Sequence, residues 1–218
     1  MRRYRIRLRI NSFFAYNEWY GLKVKSLKLQ KALFCKTEKE LTKAEYERLL
    51  KAASDKKNES LNLTMQTICS TGIRVSELPY ITVSAIEQGQ AQVKLKGKIM
   101  VIIFTKELCR ILKRYIREQG ITSVAVFVTR TGKPMDRHTI WKSMKKLCEA
   151  ANVEPEKVFP HNLRHLFART FYGIEKDIVR LADILGHSSV NTTRIYTIEN
   201  GDIHRKKIHR LGLVRMNV

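Results

Sequence analysis

Cysteine is scarce and scattered in this chain. Cys35, Cys69, Cys109 and Cys148 stand far apart with no CxxC pair, which suggests neither a zinc site nor a disulfide framework and leaves the four as small core residues. Long apolar runs are missing too. The longest unbroken stretch, Ile99 to Phe104, has the length of a strand, well short of the ~18 residues that a membrane-spanning helix needs. At the amino terminus Arg2, Arg3, Arg5, Arg7 and Arg9 interleave with Ile6, Leu8 and Ile10, so the apolar block of a signal peptide is absent. These absences fit an intracellular protein. No internal repeat and no low-complexity tract interrupts the chain.

Acidic residues are the other shortage. Against 42 Lys plus Arg stand 20 Asp plus Glu, a formal net charge of +22 with pI near 10.1. A merely solvated surface rarely needs such an imbalance. A polyphosphate partner does, because each phosphate that a cation neutralises releases a condensed counterion. Nucleic acid is therefore the leading partner, with an anionic membrane surface as the alternative. With 218 residues the chain can bury a substantial core in one or two domains.

In chain order, Ile10, Phe13, Phe14 and Asn17, with Tyr16 and Tyr20 nearby, put aromatics at helical spacing on a segment too short to bury them alone. Lys23 to Lys39 carries six lysines in seventeen positions and reads as a basic linker, either a solvated loop or a strap over a nucleic-acid backbone. At Leu41 a second domain begins. Thr42 and Glu45 form a capping box ahead of Tyr46, Leu49, Leu50 and Ala53, and another helix over Leu61 to Cys69 stops near Thr71-Gly72. Arg74 follows at a turn before a new helix, where its fork suits two phosphate oxygens. Taken alone, it reads better as a surface arginine paired to Glu77, and it becomes a candidate only in company.

From Ala91 the pattern becomes strand-like. Gln92 to Leu95 alternates, Lys96-Gly97-Lys98 supplies a turn, and Ile99 to Phe104 returns as a more buried strand, which makes a β-hairpin with a basic tip. An edge strand around Ser84 to Glu87 is compatible with the same pattern. Leu108, Ile111, Leu112, Tyr115 and Ile116 restore helical spacing up to Gly120, and Val124 to Val128 reads as a short strand before the turn Thr131-Gly132-Lys133-Pro134. Ile140, Met144, Leu147 and Cys148 mark a helix whose Lys142, Lys145 and Lys146 form a solvated face first and a phosphate contact second. The last long helix spans Lys176 to Leu185.

Residues 160 to 197 hold the densest chemistry. If Pro160 starts a helix, His161 and Arg164 lie on one face, where they can converge on one anion. Gly186 is placed as a left-handed helix cap with His187 just beyond it. Tyr196 follows nine residues later, within reach of the same pocket through one short helix. An arginine, two imidazoles and a phenol point to chemistry on phosphate.

Arg74 within Thr71-Gly72-Ile73-Arg74-Val75-Ser76-Glu77-Leu78, His161 and Arg164 in His-Asn-Leu-Arg-His, His187 in Leu-Gly-His, and Tyr196 together resemble the tyrosine recombinase family, which includes phage and transposon integrases. Order, flanking residues and the spacing between His187 and Tyr196 all agree, and the resemblance runs from about Leu41 to the end. It implies an α+β, mainly helical fold, the tyrosine-recombinase catalytic domain with a small antiparallel β-sheet. Residues 1–36 then correspond to a remnant of an amino-terminal core-binding domain, its last helix and a linker, and residues 37–218 to the catalytic domain with a carboxy-terminal tail.

The resemblance also assigns roles. Tyr196 is the nucleophile toward a DNA backbone phosphate, leaving a 3′-phosphotyrosyl bond and a free 5′-hydroxyl. His161 is the base, Arg74 and Arg164 clamp the nonbridging oxygens, and His187 donates to the same oxygens. Lys96 is the general acid for the departing 5′-oxygen, with Lys98 as its competitor. No metal and no cofactor is implied. The partner is double-stranded DNA, on which relatives oligomerise through such a tail into a tetrameric synapse, in a cytoplasmic, nucleoid-associated bacterial setting and with no membrane. Site-specific recombination or integration is the implied activity. A type IB topoisomerase and a DNA-binding protein without catalysis are the alternatives. One departure from the family pattern is Met100, where relatives commonly have an arginine; it either packs under the sheet or weakens a DNA contact. His165 reads as a helix-packing histidine.

Overall fold

The computed structural model describes residues 2–19, 21–22, 40–95, 98–122, 124–129, 131–196 and 209–211. The chain divides into two compact units, Met1–Leu33 and Phe34–Val218. In the first, helix α1 runs from Arg2 to Tyr16, further toward the amino terminus than the aromatic spacing alone indicates. It ends where the Asn17 side-chain amide donates to the Phe13 carbonyl at 2.9 Å and Trp19 folds back edge-on to Phe13, with centroids 6.0 Å apart. The basic stretch Lys23 to Lys39 lies outside the described residues, as does Cys35.

The second unit is built around α3 (Glu59–Thr71), which is buried along nearly its whole length, from Leu61 through Met65 to Ile68 and Thr71. Its buried threonines are satisfied within the helix. The hydroxyls of Thr64, Thr67 and Thr71 donate to the carbonyls of Ser60, Leu63 and Thr67 at 2.8, 2.8 and 2.6 Å. Against α3 pack α2 (Lys43–Asp55), α5 (Lys106–Glu118), α6 (Arg137–Lys145) and α8 (Pro160–Glu175). The capping box at the start of α2 forms as its sequence dictates: the Glu45 carboxylate accepts from the Thr42 amide at 2.8 Å, and the Thr42 hydroxyl accepts from the Glu45 amide at 3.2 Å. Gly72 closes α3 with φ +69°. Only glycine fits there, because an added Cβ would stand 2.4 Å from the Phe167 ring.

Ser84 to Glu87 is not an edge strand. It lies in α4 (Val83–Gln88), because the Thr82 hydroxyl caps the Ala85 amide at 3.0 Å and Gly89 ends the turn with φ +74°. Two strands form the sheet, β1 (Gln90–Leu95) and β2 (Lys98–Ile103), antiparallel with Gln90 opposite Ile103 and Leu95 opposite Lys98. The expectation of a buried β2 is corrected. Only one face of the hairpin meets the core, so Ile102 is buried whereas Ile99 and Ile103 are 67% and 73% exposed. Val124 to Val128 makes isolated bridges, Ala125 with Thr82 and Val128 with Pro134, in place of a strand.

The helix expected through Leu147 and Cys148 breaks into α6 and the short α7 (Cys148–Ala151). Cys148 is buried and Cys69 and Cys109 are half-buried, all as free thiols. Lys176 ends α8 in the left-handed region with φ +55°, so α9 begins later than its apolar period suggests and spans Ile178–Ile184. Asp177 caps it by accepting from the amides of Val179 and Arg180, each at 2.9 Å. Gly186 follows at φ +62°, then α10 (Val190–Thr193) and a 3-10 turn over Arg194–Tyr196. Among the described residues no helix is long and apolar enough to cross a membrane.

Candidate active site

Two glycine turns and one helix start bring the site together. Gly72 ends α3 and turns the chain so that Arg74 stands just before the 3-10 segment Val75–Tyr80. Pro160 opens α8, whose first turn carries His161 and Arg164. Gly186 reverses the chain after α9, and the His187 amide donates back to the Ala182 carbonyl at 2.9 Å. Around these positions lies a cleft of about 500 Å³ lined by Arg74, Arg137, His161 and Arg164 among others.

Arg74 is paired to Glu77 and also lines the cleft. Its Nη1 donates to Glu77 Oε1 at 2.8 Å, and its backbone amide donates to Glu77 Oε2 at 2.7 Å. The Glu77 side chain is fully buried while that of Arg74 is 42% exposed. A buried carboxylate thus holds one side of the fork and leaves the rest facing the cleft.

Arg164 is only 1% exposed, an unusual place for a guanidinium. It donates from Nη1 to the Gly72 carbonyl, and from Nη2 to the Leu185 carbonyl at 2.8 Å and to His187 Nε2 at 2.9 Å. Its Nε has no hydrogen-bond partner among the described residues. Burial, followed by the charge of Arg74, lowers its pKa, and contact with Tyr196 and the charge of Glu77 act in the opposite sense. The same guanidinium therefore ties the end of α3 to the end of α9 and still has a donor to spare.

Tyr196 is 5% exposed and packs into a small apolar cluster with Ala168, Leu181 and Leu185. Three imidazoles surround its ring. His187 stacks on it with centroids 5.8 Å apart and planes 14° apart, His165 meets it edge-on at 4.6 Å, and His161 stands at 6.4 Å. All three histidines are held below the usual imidazole range by burial first and then by neighbouring positive charge, His165 and His187 at about 4. Neutral imidazoles can accept a proton, as a base must.

Of the six expected site residues, Arg74 and His161 meet at the cleft with Arg164, while His187 and Tyr196 join the group through Arg164 and the stacked rings. Lys96 lies outside the described residues. Lys98 begins β2, opposite Leu95, so only residues 96 and 97 connect the strands. Met100 packs inward, against Gly186. Sequence reasoning missed Arg137, the first residue of α6, which lines the same cleft. It also missed Thr193, whose hydroxyl lies 2.8 Å from His187 Nδ1. Neither stands at a spacing that singles it out. The only sequence signal for Arg137 is the helix-capping Asp136 before it.

Residues 39–201 match the model of the phage integrase family. A tyrosine recombinase of Campylobacter jejuni, XerH, is 33% identical over 172 residues, which cover 74% of this chain and 49% of that protein. The solved XerA recombinase superposes with a TM-score of 0.68 at 26% identity, covering 94% of this chain and 74% of that one. A solved XerH site-specific recombinase bound to difH substrate, described as a pre-cleavage complex, gives a TM-score of 0.63 at 25% identity, covering 73% of this chain and 50% of that one. The chain spans about half the length of the curated relatives it matches.

Proposed function

The chain belongs to the phage integrase family, and from that premise we propose that it cuts and rejoins DNA strands site-specifically through a 3′-phosphotyrosyl bond to Tyr196. The observation that carries this reading is the set of groups around one phenol: Tyr196 held between His187 and His165, with His161 and the Arg164 guanidinium beside it. The solved XerH site-specific recombinase bound to difH substrate supports a site-specific cleavage reaction, and the net charge of +22 supports a polyanionic substrate such as DNA.

In the cleavage step the Tyr196 oxygen attacks the phosphorus and gives up its proton to His161. The bond from phosphorus to the 5′-oxygen breaks, and Lys96 supplies the proton that lets the 5′-hydroxyl depart. Arg74 and Arg164 hold the nonbridging oxygens, where charge accumulates in the transition state. His187, beside Arg164, faces the same oxygens. Rejoining runs the step in reverse with a 5′-hydroxyl from another strand. In this phosphoryl transfer between two oxygens, Arg74, Arg164 and Lys96 supply the positive charge and the proton that a metal ion and its bound water supply elsewhere.

Residues 1–36 act as the end of a DNA-gripping core-binding domain, and residues 37–218 as the catalytic domain. The segment after Tyr196 docks on a neighbouring protomer, toward a tetramer on DNA, in the cytoplasm and on the nucleoid. A strand-exchange assay with two duplexes, one end-labelled, tests the activity. Transfer of the label to the second duplex is expected. Relaxation of a supercoiled plasmid without exchange would mark a type IB topoisomerase, and binding without any strand breakage would mark a DNA-binding protein.

A further inference from the structure

His187 bridges two side chains. Arg164 Nη2 lies 2.9 Å from its Nε2, and its Nδ1 lies 2.8 Å from the Thr193 hydroxyl. A guanidinium has five donors and no acceptor, so Nε2 accepts. The single proton of a neutral imidazole then resides on Nδ1 and is donated to the Thr193 oxygen. Burial and the surrounding charges of Arg164, Arg74 and His161 favour that neutral ring. Thr193 itself is fully buried and ends α10, three residues before Tyr196.

We propose that Thr193 is a positioning residue: the Arg164 guanidinium selects the Nδ1–H tautomer of His187, and the Thr193 hydroxyl, by accepting that proton in a buried site, keeps it there and keeps Nε2 aimed at Arg164. Thr193 and Tyr196 share one short segment, Val190 to Tyr196. Docking the nucleophile therefore also docks the hydroxyl that holds the His187 ring against the arginine fork. In this tautomer Nε2 has no proton to offer a phosphate oxygen. His187 donates there only after taking a second proton, a change that an entering phosphodiester anion favours. The consequence for cleavage rests on the reading of Tyr196 and Arg164 above, whereas the tautomer does not.

The test is ¹⁵N NMR of the whole chain labelled at histidine, without DNA, with the His187 signals assigned from a His187→Gln variant. Wild type and Thr193→Ser should show a protonated Nδ1 and an unprotonated Nε2. Thr193→Val should lose that pattern in favour of the other tautomer or a mixture, and Thr193→Ala, which removes the hydroxyl without adding bulk, should do the same. On DNA at saturating occupancy, covalent-complex formation should slow about tenfold in Thr193→Val, the factor one neutral hydrogen bond carries, and recover in Thr193→Ser. Retention of the wild-type pattern in both Val and Ala variants would overturn the proposal. If the tautomer changes as expected but wild type forms no bond to DNA, the positioning role stands and the recombinase reading fails.

Discussion

The Met100 side chain fills the space in front of Gly186, and a Cβ added to that glycine would stand 2.3 Å from the Met100 sulfur. Gly186 is also in the left-handed region, with φ +62°. The residue that turns the chain toward His187 is thus constrained by its own backbone and by the central part of β2. Gly186→Ala should lose about 1–2 kcal/mol for the backbone conformation, and more for the collision. Adding Met100→Ala should restore the steric part alone. Gly120, at φ +59° with open space around it, is the control. Urea unfolding midpoints that fall equally in Gly186→Ala and Gly120→Ala would show that Met100 imposes nothing.

Arg74 and Arg164 should part company when each is changed to lysine. Both variants lose the planar fork, and cleavage should fall by at least ~100-fold in each, the scale of one lost transition-state donor. Arg74→Lys should melt close to wild type, because the Arg74 side chain is partly solvated. Arg164→Lys should melt lower, since the Gly72 and Leu185 carbonyls lose their donors and a buried group left unpaired costs about 1–3 kcal/mol. Wild-type cleavage in either variant would remove that arginine from the chemistry.

The two hairpin lysines are separable by their leaving group. With sulfur in place of the bridging 5′-oxygen, the departing thiolate has a reference pKa near ~8.5 and needs no proton. Lys96→Ala should cleave ordinary DNA very slowly and the sulfur-bridged substrate at nearly the wild-type rate, and Lys98→Ala should show little defect on either. Rescue confined to Lys98→Ala would transfer the acid role to Lys98.

Stability should decline on the acid side. Unfolded histidines titrate near ~6.5, whereas folded His165 and His187 stay neutral down to about 4 and His161 is also lowered. Between those values the unfolded chain binds more protons, so stability rises with pH across the window and is lost as pH falls from 6.5 toward 4. Melting temperatures measured from pH 7.5 to 4.5 should drop, less steeply in His165→Asn. A flat profile would mean that these rings are charged or solvated in the folded state.

Features written in local chemistry were legible in the sequence. The Thr42–Glu45 capping box, the glycine caps at Gly72 and Gly186, and Pro160 at the start of α8 each depend on residues within one turn. His161, Arg164, His187 and Tyr196 fall within one stretch of chain, so their order, spacing and flanking residues marked them as candidates in the sequence. What stayed hidden depends on remote packing. The apolar run of β2 does not say whether one face or two are covered, and here Ile99 and Ile103 face solvent. Ser84 to Glu87 is a different case, since Thr82 and Gly89, the caps that make it a helix, are local signals that the strand reading passed over. Arg137 and Thr193 enter the site only through the folding of α6 and α10.

The most direct measurement is a denaturing gel of the protein with a nicked, labelled trapping duplex in the presence of EDTA, with the linked peptide identified by mass spectrometry. Removal of the departing 5′ fragment by the nick prevents religation, so a covalent complex should accumulate with the bond on Tyr196. It should be absent in Tyr196→Phe, while DNA binding by that variant persists because the net charge is unchanged. A complex that survives in Tyr196→Phe, or a peptide carrying the phosphate on another residue, would contradict the account.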